Sequence, residues 1–88
     1  MITKQVIIGN RAGIHARPAA MIVKVANKFK SDITLSKDDD EINAKSIMGI
    51  ITLAATYQTV LTLKADGADE SEAVEAISKI FENKFEEE

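Results

Sequence analysis

Short apolar segments of two different periodicities alternate along the chain, and this alternation is the feature that most constrains its fold. Strand-like patterns of apolar and β-branched residues occupy residues 5–8, 32–36 and 60–65, and a short returning strand begins at Ile42. Helical spacing begins near Ala16 and recurs in a short central segment and near the end of the chain. The order β-α-β-β-α-β-α predicts an α+β open-faced sandwich, in which three helices cover one face of a four-stranded, mostly antiparallel sheet.

The first helix presents two different faces. Pro18 suits its first turn, where backbone N–H groups lack helical partners. One face is apolar and is predicted to join the core: Ala19, Ile22, Val23, Ala26 and Phe29 or Lys30. The other face carries a basic stripe with one methionine: Arg17, Met21, Lys24 and Lys28.

The last helix has the clearest apolar stripe, formed by Ala73, Val74, Ile77, Ile80, Phe81 and Phe85. Asp69 and Glu72 have the spacing of a capping box, with aspartate in the place of serine or threonine. Glu75 and Lys79 are spaced for an i,i+4 ion pair on the solvent side. These features predict a helix that begins just after Asp69.

The central segment after Ser46 favours a short helix, although its β-branched residues are also typical of a strand. Serine before an apolar run is an N-cap signal. In a helix, one face would bury Ile47, Ile50 and Ala54 with help from Leu53. Met48 and Ile51 would then point elsewhere, and so few charges surround them that we expect an exposed contact surface for a partner.

Composition bounds the remaining possibilities. The 88 residues predict one domain, residues 1–88, and the absence of cysteine excludes disulfides and thiolate chemistry. Polar residues interrupt the longest uncharged stretch, and no secretory signal is recognisable, so we expect a cytoplasmic protein that does not insert into the membrane. The two arginines and the lack of aromatic-basic interleaving argue against nucleic-acid binding.

Charge is distributed unevenly along the chain. Residues 1–65 carry nine Lys and Arg against five Asp and Glu, a net charge of +4, whereas residues 66–88 carry −7. A basic front could steer an acidic partner, and a solvated acidic helix on an ordinary surface explains the same numbers equally well.

The single histidine, His15, lies between a glycine-containing loop and the predicted start of the first helix. A helix start offers unpaired N–H groups and a positive dipole end, which together bind anions and favour the neutral, nucleophilic form of the imidazole. Arg17 adds a guanidinium suited to phosphate oxygens. No carboxylate follows nearby to complete a hydrolytic triad, and no metal-ligand cluster surrounds the ring. The arrangement therefore suits a phosphoryl group held on histidine.

Two motifs carry a family resemblance that covers the whole chain. Residues 13–20 (GIHARPAA) resemble the active-site motif of HPr, the histidine phosphocarrier family of the bacterial phosphoenolpyruvate-dependent sugar phosphotransferase system. Residues 43–50 (NAKSIMGI) resemble the regulatory-serine motif of the same family, at the family's separation, and residues 67–70 (GADE) match the entry to its last helix.

The resemblance implies a phosphoryl carrier and not an enzyme, acting without a cofactor or a metal. His15 would accept phosphate from phosphorylated enzyme I on Nδ1 and pass it to the IIA domains of sugar permeases, with Arg17 stabilising the phosphohistidine. Ser46 would be modified by HPr kinase/phosphorylase, which adds a catabolite-control transcription regulator to the expected partners. We expect a monomer whose docking surface comprises Met21, Lys24, Lys45, Ile47, Met48 and Ile51.

Two alternatives remain open at this point. The chain could be mainly a regulatory HPr-like module that works through phosphorylated Ser46, although such modules lack the histidine. It could also serve a nitrogen-related phosphorelay, which the intact segment around Ser46 disfavours.

Three positions depart from the family pattern. Ala12 replaces a small polar residue near the phosphate, and Arg11 or a backbone N–H is expected to substitute for it. Asp39 and Gln58 replace common glycines, and a positive φ at Gln58 would cost roughly 1 kcal/mol.

Overall fold

The computed structural model of the chain describes residues 1–86 and confirms the α+β architecture. The strands are β1 (Ile2–Ile7), β2 (Asp32–Lys37), β3 (Asp40–Asn43) and β4 (Val60–Asp66). The helices are α1 (Ala16–Ala26), α2 (Ile47–Thr52) and α3 (Glu70–Glu82), and a single 3-10 turn follows at Lys84–Glu86.

The four strands form one sheet in the order β1-β4-β2-β3, and all three pairings are antiparallel. Val6 lies opposite Leu61, and Leu35 lies opposite Leu63, so buried side chains of neighbouring strands meet on the same face. β1 begins at Ile2, three residues before the predicted start. Its first residues are polar or only half-buried, and they pair with β4 through the backbone, which apolar alternation does not reveal.

The core lies between this sheet face and the helices and is mostly aliphatic, as the composition predicts. Its largest fully buried apolar members are Ile8, Ile22, Ile33, Leu35, Ile50, Leu61, Leu63, Ile77 and Phe85. Phe85 lies beyond the end of α3 and is brought back to the core by a left-handed backbone with φ of 54°. Its ring packs edge-on against Phe81 at a centroid distance of 4.9 Å.

The apolar face of α1 is close to the one predicted. Ala19, Ile22 and Ala26 are buried, whereas Val23 and Phe29 are only half-buried. On the other face Arg17 and Lys24 are exposed and Met21 is half-buried. The helix ends at Ala26, earlier than its predicted spacing, so the exposed Lys28 lies just past its end. No helix within residues 1–86 combines the length and hydrophobicity that crossing a bilayer requires.

The predicted capping box at the start of α3 is wrong. The Asp69 side chain makes no cap to its own helix and accepts hydrogen bonds from the N–H groups of Lys30 at 2.8 Å and Ser31 at 3.0 Å. The Ser31 hydroxyl also donates to it, and these bonds lower the pKa of Asp69 to about 2. Asp69 therefore joins the start of α3 to the connection between α1 and β2. The predicted ion pair between Glu75 and Lys79 is confirmed at 3.6 Å.

Candidate functional site

His15 is the residue that immediately precedes the first turn of α1, and its side chain is exposed. Its backbone is extended, with φ of −118°, and its carbonyl accepts the N–H of Ala19 at 3.0 Å. The imidazole does not cap the helix. The ring is thus placed at the helix start without serving the helix itself.

The first turn of α1 is suited to an anionic group. Residues Ala16 and Arg17 have backbone N–H groups with no partner inside the helix, and Pro18 has no N–H that would need one. No acidic residue lies in this turn, so the turn itself carries no negative charge that opposes the positive end of the helix dipole. The Arg17 side chain is exposed and adds a full positive charge at the same end.

The loop before His15 is closed by hydrogen bonds that sequence reasoning missed. Gly13 donates its N–H to the Asn10 carbonyl at 3.1 Å, and the Asn10 side-chain amide donates to the Gly13 carbonyl at 2.9 Å. Ile14 then donates its N–H to the Ala55 carbonyl at 3.0 Å. The only sequence signal for this arrangement is a turn-forming asparagine three residues before a glycine.

Gly13 is required by this packing. Its φ is 74°, and a Cβ at this position would lie 2.8 Å from the Ala55 carbonyl oxygen. Any other residue would therefore push the loop that carries His15 away from the segment that follows α2.

The central segment is a helix, and Ser46 is its N-cap. The Ser46 hydroxyl is half-buried and accepts the N–H of Gly49 at 3.0 Å. Ile50 and Leu53 are buried as predicted. The prediction that Ile47 and Ala54 join the core is wrong, because Ile47 is 42% exposed and α2 ends at Thr52, after which Ala54 adopts a φ of 52°.

Three apolar side chains of α2 face solvent, and we call them the α2 patch. Met48 is 68% exposed, Ile47 42% and Ile51 37%. They lie within one turn of each other on a six-residue helix. An apolar surface of this kind, on a domain with a filled core, is typical of a contact site.

The two motifs lie at opposite ends of the α2 patch. Ile14 is bonded to Ala55, just past the end of α2, whereas the Lys45 ammonium donates to the carbonyl of Phe29, just past the end of α1, at 2.9 Å. The two helices pack against each other, and these bonds show that they run in opposite directions. His15 is therefore near the end of α2 and Ser46 at its start, separated by a helix that rises about 9 Å.

The remaining predicted site residues differ in their availability. Lys24 is exposed on α1, and Met21 is half-buried. The Lys45 ammonium is engaged by Phe29, so its role in docking stays a prediction. In the stretch from residue 1 to residue 86, no three His, Asp or Glu side chains are grouped closely enough to hold a metal ion.

The departures from the family pattern have distinct outcomes. Ala12 and Arg11 are exposed, and the expectation that Arg11 or a backbone N–H replaces the missing polar contact to the phosphate stays a prediction. Gln58 has a φ of 70°, so the condition under which it was expected to cost stability is met. In the β2–β3 hairpin the positive φ, 55°, falls on Asp38 and not on Asp39.

Comparison with known proteins decides the family. Residues 2–83 match the family model described as PTS HPr component phosphorylation site. The chain belongs to the HPr family. It is 51% identical over its full length to the complete phosphocarrier protein HPr of Treponema pallidum. HPr is a phosphocarrier protein of the phosphotransferase system, and the relatives of this chain also include an HPr-like protein, Crh.

Solved structures of the HPr family agree with this assignment. HPr from Thermoanaerobacter tengcongensis superposes with a TM-score of 0.96 at 46% identity, covering 100% of this chain and 99% of that one. Crh, a Bacillus subtilis catabolite repression protein, superposes with a TM-score of 0.77 at 43% identity, covering 96% and 97%. That Crh structure is an intertwined, swapped dimer.

Proposed function

We propose that this chain accepts a phosphoryl group on His15 from phosphorylated enzyme I and passes it to IIA domains of sugar permeases. The observation that carries the proposal is the exposed imidazole at the start of α1, beside first-turn N–H groups that lack partners inside the helix and beside Arg17. The chain needs no substrate pocket for this role, because both reactants are proteins that bring their own reactive groups.

The transfer is a displacement at phosphorus. The lone pair of one His15 ring nitrogen, which the family resemblance assigns to Nδ1, attacks the phosphorus as its bond to the donor breaks. The acceptor reverses the step by attacking the same phosphorus, so His15 regains its lone pair. The first-turn N–H groups and Arg17 stabilise the phosphoryl oxygens by charge-assisted hydrogen bonds. That stabilisation has to be moderate, because a carrier that holds phosphate too tightly would not release it.

Partners are proposed to dock on the α2 patch together with Met21 and Lys24 of α1. A small apolar surface with a basic rim suits brief encounters with acidic partners. The end of the α2 patch that is closer to His15 would place a partner's reactive group beside the imidazole. Lys45 would contribute mainly by fixing the start of α2 on the carbonyl of Phe29.

Ser46 is proposed as the regulatory site of HPr kinase/phosphorylase. Its hydroxyl already accepts a hydrogen bond from the helix start, and a phosphate there adds about −1.5 to −2 charge at a position that tolerates it. The charge lies at the end of α2 remote from His15, so we expect it to repel acidic partners and weaken docking more than the chemical step. The phosphorylated form is expected to bind a catabolite-control transcription regulator.

The favoured alternative is a mainly regulatory module, because the structural relative Crh is a catabolite repression protein. The presence of His15 argues against this as the sole role. A carrier for a nitrogen-related phosphorelay remains a weaker alternative. We propose a cytoplasmic monomer, and the swapped Crh dimer makes sedimentation of this chain the direct check of its oligomeric state.

The decisive experiment offers the chain labelled phosphoenolpyruvate and enzyme I, and compares His15→Ala with Ser46→Ala. We expect acid-labile label on the wild type and on Ser46→Ala, and none on His15→Ala. An unlabelled wild type that is instead phosphorylated on Ser46 by HPr kinase/phosphorylase and ATP would favour the regulatory module. Both variants should keep the circular dichroism spectrum of the wild type.

Arg17→Ala tests the second component of the site. Arg17 is exposed, so we expect the domain to stay folded while phosphoryl transfer slows by about 10- to 100-fold through loss of one charge-assisted contact, worth about 1.5–3 kcal/mol. Single-turnover transfer from phosphorylated enzyme I measures this rate. An unchanged rate would remove Arg17 from the mechanism.

A further inference from the structure

Asn10 is a polar residue of the domain that is fully buried, and the mechanism above does not use it. Its exposed fraction is 0%. Burying an amide is unfavourable unless its hydrogen bonds are made inside the protein, so a buried asparagine in a loop indicates a specific structural task. The side-chain amide of Asn10 donates a hydrogen bond to the carbonyl of Gly13 at 2.9 Å.

The side-chain bond from Asn10 adds to a backbone bond between the same two residues. The Gly13 N–H donates to the Asn10 carbonyl while the Asn10 amide donates to the Gly13 carbonyl, so both polar groups of Gly13 are held by one residue. Gly13 is followed by Ile14, which is buried and donates to Ala55, and then by His15. Only one residue separates the doubly bonded glycine from the phosphoryl acceptor.

We propose that Asn10 is a positioning residue for phosphoryl transfer, which holds the backbone of Gly13 and thereby orients His15 against the first turn of α1. This inference rests on the proposed function of His15. The same loop contains the exposed Ala12, where the family often has a small polar residue, and Asn10 supplies a polar anchor to the loop from the buried side.

The proposal explains why the anchor is a side chain. Gly13 has a left-handed backbone that few residues adopt, and glycine is also the residue with the greatest freedom to leave it. The bond from Asn10 limits that freedom without adding a Cβ, for which Ala55 leaves no space. A displacement of the reacting nitrogen by about 1 Å can cost about 100-fold in rate, so a fixed loop matters for transfer.

The test compares two substitutions at one position with a control elsewhere. Asn10→Ala removes the amide and leaves a space, whereas Asn10→Leu keeps a branched side chain with the same number of heavy atoms and removes both the N–H donor and the carbonyl acceptor. Asp69→Asn is the control, because it weakens a side-chain anchor near the far end of α1, whose 11 residues span about 16 Å. Thermal unfolding of each variant first identifies a temperature at which all are folded.

Single-turnover transfer from phosphorylated enzyme I then gives a saturating rate and a half-saturating concentration. We expect both Asn10 variants to lower the saturating rate by about 10- to 100-fold while the half-saturating concentration stays the same. The control should keep the wild-type rate despite its lower stability. Wild-type rates in Asn10→Leu, or equal losses in Asp69→Asn, would overturn the positioning role.

A second measurement separates this inference from the proposed function. Nuclear magnetic resonance spectra of the unphosphorylated chain report the Ile14 amide and the His15 ring carbons directly. We expect both sets of signals to shift in Asn10→Leu and to stay in place in Asp69→Asn. If the wild type accepts no phosphate, the proposed function fails, and the spectra still decide whether Asn10 orients His15: unchanged His15 signals in Asn10→Leu would overturn it.

Discussion

At the residue scale, the position of His15 is set by residues shortly before it in the chain and by one loop much later in the chain. Asn10 and Gly13 close the turn, and Ala55 receives the N–H of Ile14. The sequence made His15 and Arg17 recognisable, because chemistry depends on residue type. It did not indicate the contact with Ala55, because a pairing between residues as distant in sequence as Ile14 and Ala55 leaves no local pattern.

Backbone conformation at Gln58 gives the first prediction. Its φ of 70° is costly for a residue with a Cβ, and its side chain is exposed. We expect Gln58→Gly to raise the free energy of unfolding by about 0.5–1 kcal/mol, measured by urea denaturation. Gln58→Ala is the matched control, since it keeps the Cβ. Equal stability of the two variants would mean that the backbone conformation is not the cause.

Asp69 gives a prediction for acid stability. Bonds from Ser31 and Lys30 hold the folded-state pKa near 2, below the usual 3.8, so folding favours the ionised carboxylate. Its contribution to stability is therefore present above pH 4 and is lost as pH falls from about 4 towards about 2.

We expect Asp69→Asn to be less stable than the wild type at pH 7, with the difference shrinking across that acid range. Glu70, whose pKa is also lowered, mainly by the N–H of Gly67, is present in both proteins. Subtracting the two pH profiles of thermal unfolding thus isolates Asp69. A difference that does not vary with pH would show that the carboxylate charge is not responsible.

At the element scale, the helix starts show where local sequence rules succeed and fail. Ser46 caps α2, as its position before an apolar run predicts. This cap signal, together with the helical spacing, favoured a helix over a strand for the segment. Asp69 precedes α3 in the same way, but a longer-range partner, Ser31, takes its carboxylate. A cap rule describes what a side chain can do locally, and tertiary contacts decide whether it does so.

The length of α2 explains the misplaced Ile47. Six residues make fewer than two turns, so only Ile50 inside the helix and Leu53 at its end reach the core. The exposure of Met48 and Ile51 could be predicted, because an all-apolar short helix cannot bury every side. The exposure of Ile47 depends on the angle at which α2 meets the sheet and α1, which periodicity does not specify.

The α2 patch supplies the prediction at this scale. Met48→Asp places a charge at its most exposed position, so we expect affinity for enzyme I to fall at least about tenfold, or 1.4 kcal/mol, with the fold retained. Isothermal titration calorimetry measures the affinity. Val60→Asp is a charge-matched control at a 49% exposed apolar residue of β4. An undiminished affinity of Met48→Asp would exclude the α2 patch from docking.

At the scale of the whole molecule, charge separates along the chain: residues 1–65 carry +4 and residues 66–88 carry −7. Arg17 and Lys24 of α1 and Lys28 just past its end are the exposed cations of the basic stripe, whereas α3 contains four glutamates. The order of the helices and strands and the mostly antiparallel sheet were predictable, because the spacing of apolar residues in each segment shows that one face is buried. The sheet order β1-β4-β2-β3 was not, because it depends on which strands pair over long distances.

Long-range attraction by the basic stripe predicts salt-sensitive docking. We expect the association rate with enzyme I to fall steeply as ionic strength rises from about 0.01 M to about 1 M, over which the Debye length falls from about 30 to about 3 Å. Replacing Lys24 and Lys28 by Gln should flatten this dependence in stopped-flow measurements. Lys64→Gln is the control, because Lys64 belongs to β4 and pairs with Glu41 at 3.5 Å. Equal salt dependence in all three proteins would contradict steering by the basic stripe.

Because α1 and α2 run in opposite directions, His15 and Ser46 lie close to opposite ends of α2. His15 and Ser46 are different amino acids with different chemistry. Ser46 begins α2 and His15 lies near its other end, so their separation is smaller than the width of an ordinary protein contact. A single partner docked on α2 would therefore contact both positions. If His15 and Ser46 are both phosphorylated as proposed, the domain would present four distinguishable surfaces to such a partner.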